Sequence, residues 1–461
     1  MKRVPALGVV AAAIVLVAAC DRATPVTPGP APSTRVVSPD PSGSTASLAD
    51  GDWPTYHRDN ARSGVAPNFP APATLAAAWR AQLDGAVYGQ PLVVGDTVYA
   101  ATEHDTAYAL AADTGAVRWS THVGEPVPRR QLPCGNIDPL GITSTMVYDP
   151  ATRLVFALAQ TTGAHHTLFG FDAATGAVRM TRAAEPPKGQ PVAHQQRSAL
   201  TLFQDRVYIA YGGLAGDCGA YIGSVVAIPT TGDGPARSYA IPTTREGGIW
   251  SPAGGIVHNG RLLYPVGNGE STGGAFDGSD SVIALDPDLR LLDTFAPSTW
   301  ADDNARDLDL GSMSPVVVNG YILIAGKRGV AYTVRPDLFG GIGGEVAQAK
   351  VCTAFGGAAV DGEIAYLPCP DGVRAVHVDG AGRITVRWQA SVRAAGSPVL
   401  GGGVLWVVDY DRGILYTLDP GSGSPRQQVP VGRAPHFASP TLSGGRAFVG
   451  TLTGVTAIRT G

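Results

Sequence analysis

The chain repeats one short pattern eight times, and this periodicity limits the folds that it can adopt more than any single residue does. Each copy has a small residue with Pro or its substitute, an apolar run, a polar turn with Gly or Asp, and a second apolar run. Neighbouring copies start 40 to 63 residues apart, at Pro91, Thr145, Ala199, Pro252, Pro315, Ala358, Pro398 and Pro440. Repeats of roughly 40–50 residues with a hairpin in each are typical of propeller blades. The sequence therefore predicts an all-β fold, an eight-bladed β-propeller of four-stranded antiparallel blades.

The two ends of the repeat region complement each other. The last copy ends at Ile458 without an outermost strand, whereas residues 75–80 have the sequence of such a strand without the rest of a blade. We therefore predict that this N-terminal outer strand completes the last blade and closes the ring between the two ends of the chain.

The first 50 residues indicate export rather than a folded core. Residues 1–19 place Lys2 and Arg3 before an apolar run too short for a comfortable membrane span, which is typical of a signal peptide. The signal ends in Val-Ala-Ala-Cys at 17–20, which resembles a bacterial lipoprotein box and implies a lipid anchor on Cys20; the alternative is an ordinary signal with an incidental cysteine. Residues 20–50 are rich in Pro, Ser and Thr and predict a disordered tether. We expect residues 51–461 to form the propeller of an extracytoplasmic protein that is anchored to the bacterial cell membrane.

Charge excludes one class of partner. The chain carries a formal net charge of −4, and its basic residues form no stripe interleaved with aromatic side chains. Nucleic-acid binding proteins display such basic surfaces, so we expect no nucleic-acid partner.

Four cysteines remain after Cys20, and an even number outside the cytoplasm favours two disulfides with three possible pairings. Cys352 and Cys369 bracket one predicted hairpin whose turn is Asp-Gly, so a modest bend would join them. Cys134 and Cys218 lie in long loops of the second and third blades. We predict the pairs Cys134–Cys218 and Cys352–Cys369.

Unusual loops occur on consecutive blades. They are rich in Gly and contain carboxylates and amides, and they occupy residues 134–141, 212–219, 247–250, 266–270, 302–309 and 326–329. Insertions that interrupt a repeat on successive blades indicate a binding face.

These loops and the repeat Asp-x-x-Thr-Gly-x-x-x-Trp carry a family resemblance that covers the region from residue 52 to the C-terminus. The chain resembles the pyrroloquinoline quinone (PQQ) dehydrogenase-like propellers, which include alcohol and glucose dehydrogenases and non-catalytic assembly factors. Residues 264–270, Tyr-Pro-Val-Gly-Asn-Gly-Glu, are similar to the segment in which the dehydrogenases place a calcium-ligating Asn, here Asn268. The resemblance implies that Trp250 lies beneath the quinone, that Lys327 contacts its oxygens and that Asp217 replaces a glutamate calcium ligand.

The same resemblance implies a chemistry. Asp217 and Asn268 would be hard oxygen ligands of Ca²⁺, and Asp307 would be the general base for a substrate hydroxyl, since it is the likelier counterpart of the catalytic Asp in the Asp-Leu-Asp stretch 307–309. The chain departs from the pattern of many alcohol dehydrogenases, because it lacks their adjacent-cysteine disulfide and a haem domain.

Two functions remain open from the sequence. The preferred interpretation is a membrane-anchored, non-catalytic scaffold that binds an unknown envelope partner or small-molecule ligand. The alternative is a Ca²⁺- and PQQ-dependent dehydrogenase that oxidises an alcohol or a sugar. Fold alone does not decide between them, so whether the protein is an enzyme stays open, and the sequence names neither substrate, electron acceptor nor oligomeric state.

Overall fold

A computed structural model describes residues 48–461. The predicted signal peptide, Cys20 and residues 20–47 of the predicted tether lie outside the described residues. Among residues 48–461, none of the helices has the length and apolar character that crossing a membrane would require.

The described residues form eight β-sheets, which are the blades of a propeller. Two strands precede the first blade: β1 (Val65–Ala66) and β2 (Ala76–Gln82). Blade 1 contains β3 (Leu92–Val94), β4 (Thr97–Ala101), β5 (Thr106–Ala111) and β6 (Val117–His122). Blade 2 contains β7 (Val147–Asp149), β8 (Leu154–Thr161), β9 (His165–Asp172) and β10 (Val178–Ala183). Blade 3 contains β11 (His194–Gln195), β12 (Thr201–Phe203), β13 (Arg206–Gly213), β14 (Ser224–Pro229) and β15 (Arg237–Ala240). Blade 4 contains β16 (Ile256–His258), β17 (Arg261–Val266), β18 (Ser281–Leu285) and β19 (Leu291–Ala296).

The second half of the ring repeats the arrangement. Blade 5 contains β20 (Val316–Val318), β21 (Tyr321–Ala325), β22 (Val330–Val334) and β24 (Ala347–Lys350), and β23 (Gly341–Ile342) pairs with β19 of blade 4. Blade 6 contains β25 (Ala359–Asp361), β26 (Ile364–Cys369), β27 (Gly372–Val378) and β28 (Ile384–Ala390). Blade 7 contains β29 (Val399–Gly401), β30 (Val404–Asp409), β31 (Ile414–Leu418) and β32 (Pro425–Pro430). Blade 8 contains β33 (Thr441–Ser443), β34 (Arg446–Thr451) and β35 (Gly454–Arg459). One short helix, α1 (Trp300–Ala305), and three 3-10 turns (Arg129–Gln131, Pro191–Ala193 and Leu310–Ser312) complete the described elements.

The ring closes between the two ends of the chain, as predicted. Strand β2 pairs antiparallel with β35, with Ala76 opposite Arg459 and Gln82 opposite Gly454, and thereby supplies the outer strand of blade 8. The eight four-stranded antiparallel blades confirm the predicted fold class. Without β2, blade 8 would have three strands and the outer edge of β35 would be unpaired.

The Thr-Gly and Trp positions of the repeat join neighbouring blades. Trp119 on the outer strand of blade 1 donates from Nε1 to Ala173 O of blade 2 at 3.0 Å. Its indole lies against Gly176, where φ is +72° and a Cβ would come within 2.6 Å of ring atoms. A side chain at this position would be excluded by the ring and by the left-handed backbone. The repeat therefore encodes contacts between blades as well as strands within them.

The core consists of apolar layers between adjacent blades. One layer combines Leu92 and Tyr99 of blade 1 with Tyr148, Val155 and Phe171 of blade 2, and similar layers follow around the ring. Because each layer belongs to two blades, no blade can bury its apolar faces alone.

The segment from residue 53 to 66 lies along the innermost strands. Its backbone and side chains bond to residues of blades 1, 2, 3, 4, 6, 7 and 8, in the pairs Trp53–Val93, Pro54–Tyr148, Asn60–Leu202, Asn60–Val257, Ser63–Val360, Gly64–Leu400 and His57–Ser439. We call residues 53–66 the axial segment. Its Arg62 is fully buried and donates to oxygens of Thr55, Tyr56, Leu200, Thr201 and Gly255. The segment therefore connects seven of the eight blades at the centre of the ring.

Strand direction decides where the loops lie. Within a blade the four strands are antiparallel, so the loop between the second and third strands emerges on the same face as the loop that leads to the next blade. Loops of these two kinds form one face of the propeller, and the candidate site lies there.

Candidate functional site

All five residues that the resemblance assigns to a site line one cavity of about 320 Å³. Asp217, Asn268 and Lys327 lie in second-to-third strand loops of blades 3, 4 and 5, and Trp250 and Asp307 lie in the loops that lead into blades 4 and 5. Residues separated by up to 110 positions in sequence therefore meet on the face that strand direction predicts. A concave cavity of this size with convergent polar groups is typical of a small-molecule site.

Lys327 connects two carboxylates that line the cavity. Its Nζ lies 2.6 Å from Asp307 Oδ1 and 2.6 Å from Asp309 Oδ2. Burial disfavours the ammonium, but the two carboxylates outweigh this effect and raise the pKa of Lys327 to about 12. Lys327 is therefore a fixed positive charge, and its Nζ lies 5.7 Å from the centre of the Trp250 ring.

The two acids differ in depth. The Asp307 side chain is 66% exposed, whereas that of Asp309 is 8% exposed. Burial raises the pKa of Asp309, and Lys327 acts in the opposite direction. Asp309 Oδ1 also accepts the Asn268 N–H at 2.6 Å, which holds the carboxylate in one orientation.

Asn268 presents an oxygen with no partner. Its Nδ2 donates to Asp307 Oδ1 at 2.7 Å, while its Oδ1 is buried without a hydrogen-bond partner among the described residues. Gly267, which precedes it, has no room for a side chain, because a Cβ would meet the Asp309 carboxylate and approach Trp250 Nε1 at 3.1 Å. A buried carbonyl oxygen without a donor is costly unless a ligand or ion satisfies it.

Asp217 lies at the exposed rim of the cavity. Its Oδ1 accepts the Tyr221 hydroxyl at 2.6 Å. Burial, followed by the charge of Asp217, raises the pKa of Tyr221 above its ordinary value, so the phenol stays protonated and donates. Among residues 48–461, no group of three or more His, Cys, Asp or Glu side chains is arranged to hold a metal ion. A hard cation here could combine the Asp217 carboxylate and Asn268 Oδ1 with ligands from a bound molecule.

Aromatic side chains form the other side of the cavity, and the sequence analysis missed them. The rings of Phe355 and Phe437 stack with centroids 5.5 Å apart, and each lies 6.4 Å from Trp250. The Arg197 guanidinium lies 4.9 Å from the Phe437 centroid, and it makes no ion pair among the described residues. A single Arg before Ser-Ala-Leu and an aromatic residue before Ala-Ser-Pro carry no periodic signal, so the sequence did not single them out.

Both predicted disulfides are present. Cys134 and Cys218 have Cα atoms 5.9 Å apart, and Cys352 and Cys369 have Cα atoms 6.1 Å apart. The first joins two loops that line or support the cavity wall, since Asn136 and residues 213–217 are among the lining residues. The second joins the loop before blade 6 to strand β26.

The structure distinguishes Asp307 from Asp309, which the sequence pattern places only two positions apart. Asp309 directly precedes Leu310–Ser312, and these three residues are buried. Its position beside Leu310 is the sequence signal that could have indicated that Asp309 is more buried than Asp307. Asp307 has φ of +53° and lies at the mouth of the cavity. The sequence-based choice of Asp307 as the base thus falls on the exposed acid of the pair.

The residues fit a flat quinone with a hard cation beside it. Asn268 Oδ1 has no hydrogen-bond partner among the described residues, and Gly267 has no side chain next to Trp250. Two cationic side chains, Lys327 and Arg197, also line the cavity. A planar ring can stack on Trp250, and oxygen donors suit Ca²⁺.

Comparison with known proteins gives two partial sequence matches. A sequence-family model described as "Outer membrane protein assembly factor BamB" (PQQ_2) matches residues 72–288. The polyvinylalcohol dehydrogenase of Sphingopyxis sp. (strain 113P3) is 27% identical over 263 residues, which are 50% of this chain and 36% of that protein. The chain thus matches little more than a third of this relative's length. The chain is therefore similar to PQQ-like repeat proteins over part of its length, and its structure is an eight-bladed β-propeller.

Solved structures agree on the fold. The quinohemoprotein alcohol dehydrogenase from Comamonas testosteroni has a TM-score of 0.70 at 15% identity, with 88% of this chain and 80% of that chain covered. A europium-containing methanol dehydrogenase has a TM-score of 0.69 at 12% identity, with 89% and 98% covered. At this identity the likeness concerns the fold.

The preferred interpretation from the sequence, a non-catalytic scaffold, is wrong. The relative that matches by sequence is a dehydrogenase. The findings support the dehydrogenase alternative.

Proposed function

We propose that this protein is a PQQ-dependent dehydrogenase that oxidises an alcohol, with a divalent cation such as Ca²⁺ beside the quinone. The observation that carries the proposal is the contact of Lys327 with Asp309 and Asp307 next to Trp250 and the unpartnered Asn268 Oδ1. The identity of the sequence relative as a polyvinylalcohol dehydrogenase supports an alcohol as the substrate class.

PQQ would supply the two-electron acceptor, and the cation would polarise its quinone carbonyl. Trp250 would provide the flat surface for stacking of the ring, and Lys327, whose Nζ lies 5.7 Å from the centre of the Trp250 ring, would donate to the quinone oxygens. Asn268 Oδ1 and Asp217 are the candidate cation ligands. Arg197, which has no carboxylate partner among the described residues, is placed to bind a carboxylate of the cofactor.

We assign the general base to Asp309 rather than Asp307. Asp309 Oδ1 is held by the Asn268 N–H, and Oδ2, which contacts Lys327 Nζ, has a second lone pair with which it would accept the proton of a substrate hydroxyl. Burial raises the pKa of Asp309, and a stronger base accepts the proton more readily near neutral pH. Asp307 Oδ1 contacts the same Lys327 Nζ and is exposed, so it can pass a proton from the cavity to solvent.

Ligand binding tests the proposal first. Purified protein with Ca²⁺ and PQQ should show a raised melting temperature, since a ligand that binds only the folded state stabilises it by about 2.7 kcal/mol at a hundredfold excess over Kd. The matched control is Trp250→Ala, which removes the stacking surface and should abolish the shift. Absence of quinone binding to the wild type at micromolar concentration would refute the cofactor assignment.

Measurements of turnover test which of the two carboxylates is the general base. With PQQ and Ca²⁺ loaded, Asp309→Asn should bind the quinone but lose dye-linked alcohol oxidation by roughly 10²- to 10⁴-fold, because only proton transfer is removed. Asp307→Asn keeps the buried acid and should lose much less. A larger loss in Asp307→Asn would return the base to Asp307.

The location of the protein remains a prediction. We propose that Cys20 carries a lipid anchor that holds the propeller at the outer side of the bacterial cell membrane, as the lipoprotein-box resemblance implies. Incorporation of labelled fatty acid into the native protein but not into Cys20→Ser would support the anchor, and equal membrane fractionation of both would contradict it.

A further inference from the structure

Asp280 bonds to both backbone segments that form the bottom of the site. It is fully buried and directly precedes strand β18 of blade 4. Its N–H donates to Gly267 O at 2.9 Å, and its Oδ1 accepts the Leu310 N–H at 2.8 Å. Gly267 precedes Asn268, and Leu310 follows Asp309. Asp280 therefore connects the two segments, with its backbone N–H bonded to the segment of the candidate cation ligand and its side chain bonded to the segment of the candidate base.

The carboxyl group of Asp280 is not explained by charge pairing. Its Oδ2 is buried without a hydrogen-bond partner, and Asp280 makes no ion pair among the described residues. Burial, followed by the charge of Asp309, raises the pKa of Asp280 well above its ordinary value. Within residues 48–461 its carboxyl group accepts one hydrogen bond, from the Leu310 N–H.

The repeat supplies an internal comparison for this residue. Asp105 directly precedes strand β5, the third strand of blade 1, as Asp280 precedes the third strand of blade 4. Both are fully buried, and both have left-handed backbones, with φ of +54° at Asp105 and +41° at Asp280. Asp105 accepts no hydrogen bond at either carboxyl oxygen and does not line the cavity. The same residue in the same repeat position is thus found with and without a connection to the site.

We propose that Asp280 is a positioning residue that holds Asp309 in register with Asn268 through the Leu310 N–H. This inference rests on the proposed dehydrogenase function. Without the bond, the turn Leu310–Ser312 can shift relative to Gly267, and Asp309 Oδ2 moves from its place beside Lys327. Small displacements of a catalytic group reduce the rate of the chemical step more than they change substrate binding.

The test compares glycine and asparagine variants at the two equivalent positions. Glycine removes the carboxyl group and tolerates the left-handed backbone, so Asp280→Gly and Asp105→Gly lose matched groups without added strain. We expect kcat of PQQ- and Ca²⁺-loaded Asp280→Gly to fall roughly 10- to 100-fold with KM little changed. Asp280→Asn keeps an acceptor oxygen and should restore most of kcat, and Asp105→Gly should keep the wild-type kcat.

A second readout does not depend on activity. Hydrogen exchange of peptides that contain Leu310 should become faster in Asp280→Gly but not in Asp280→Asn or Asp105→Gly. Equal kcat in Asp280→Gly and Asp105→Gly, or a loss in Asp280→Asn as large as in Asp280→Gly, would overturn the proposal. If Asp280→Gly does not fold, Asp280→Ser takes its place in both measurements. Absence of turnover in the wild type would refute the proposed function. The hydrogen-exchange measurement would still show whether Asp280 holds the segment that contains Leu310.

Discussion

Several ionisable side chains deep in the ring have only neutral partners among the described residues. Arg62 donates to carbonyl and hydroxyl oxygens, and burial lowers its pKa to about 10, so it stays charged at neutral pH. Glu103 accepts hydrogen bonds from Gly141 N at 2.8 Å and Thr143 Oγ1 at 3.1 Å, while its Oε1 has no partner. Burial raises the pKa of Glu103 to about 7, and its hydrogen bonds only partly oppose this shift.

Glu103 should make stability depend on pH. Its ordinary pKa is 4.5 and its folded-state pKa is about 7, so the folded state holds the proton more tightly than the unfolded state. The resulting stabilisation is fully present below pH 4.5 and is lost as the pH rises through 7, by about 3 kcal/mol in total. Glu103→Gln should therefore flatten the change of unfolding free energy between pH 4.5 and 7, as measured by denaturant titration.

The control for this measurement is Glu125→Gln, which changes a carboxylate that is 86% exposed. It should leave the pH dependence as in the wild type. The same slope in Glu103→Gln and in the wild type would show that Glu103 does not hold its proton in the folded protein.

At the scale of elements, loops rather than strands build the site, and a disulfide supports one of its walls. Cys134–Cys218 joins the loop between blades 1 and 2 to the loop between β13 and β14. Beneath it lies a small apolar cluster of Val127, Leu132, Ile137, Leu140 and Leu214. The cluster is separate from the layers between blades, so the loops depend on the disulfide for part of their order.

Replacing both cysteines of this pair should loosen the wall but leave the ring folded. In Cys134→Ser/Cys218→Ser we expect faster hydrogen exchange in residues 124–142 and 213–221 and weaker quinone binding by calorimetry. Removal of a disulfide costs about 2–5 kcal/mol in small domains, and here we expect the loss to be local. Cys352→Ser/Cys369→Ser is the control and should speed exchange around residues 351–370 instead. Unchanged quinone binding in the first variant would contradict a role in the cavity.

At the scale of the whole molecule, two N-terminal segments hold the ring together. Strand β2 completes blade 8, and the axial segment contacts seven blades. The axial segment also buries Trp53, which is 0% exposed, and Tyr56, which is 2% exposed. These contacts span blades that are far apart in sequence, so they act on closure rather than on any one blade.

Truncation measures the contribution of the axial segment separately from that of β2. A chain that starts at residue 48 keeps every described contact and should melt as the full-length protein does. A chain that starts at residue 67 keeps β2 but loses the axial segment, and loss of a large buried aromatic side chain alone costs about 3–5 kcal/mol. Its melting temperature by calorimetry should be clearly lower. Equal melting temperatures of the two truncated chains would show that the axial segment contributes nothing to stability.

The sequence alone determined the eight blades, the closing strand and the disulfide pairs. These features depend on local patterns that recur along the chain, such as hairpins and the Thr-Gly turn, and on the mismatch between the two ends. It also named five residues that the structure brings to one cavity, because strand alternation places their loops on one face. Their roles in binding and catalysis remain proposals. The preference for a scaffold was wrong, since the relative that matches by sequence is a dehydrogenase.

Only the tertiary structure decided what depends on burial by distant residues. Asp307 and Asp309 are two positions apart, and both contact Asn268 and Lys327 from other loops, yet the side chain of Asp309 is buried and that of Asp307 is exposed. The axial segment lies outside the repeat pattern, so no periodicity predicts its course. Asp280 and Asp105 are equivalent in the repeat and differ only in their neighbours. Burial and partner identity are properties of the assembled ring, and for this reason a local pattern can place these residues in the fold but cannot assign their chemistry.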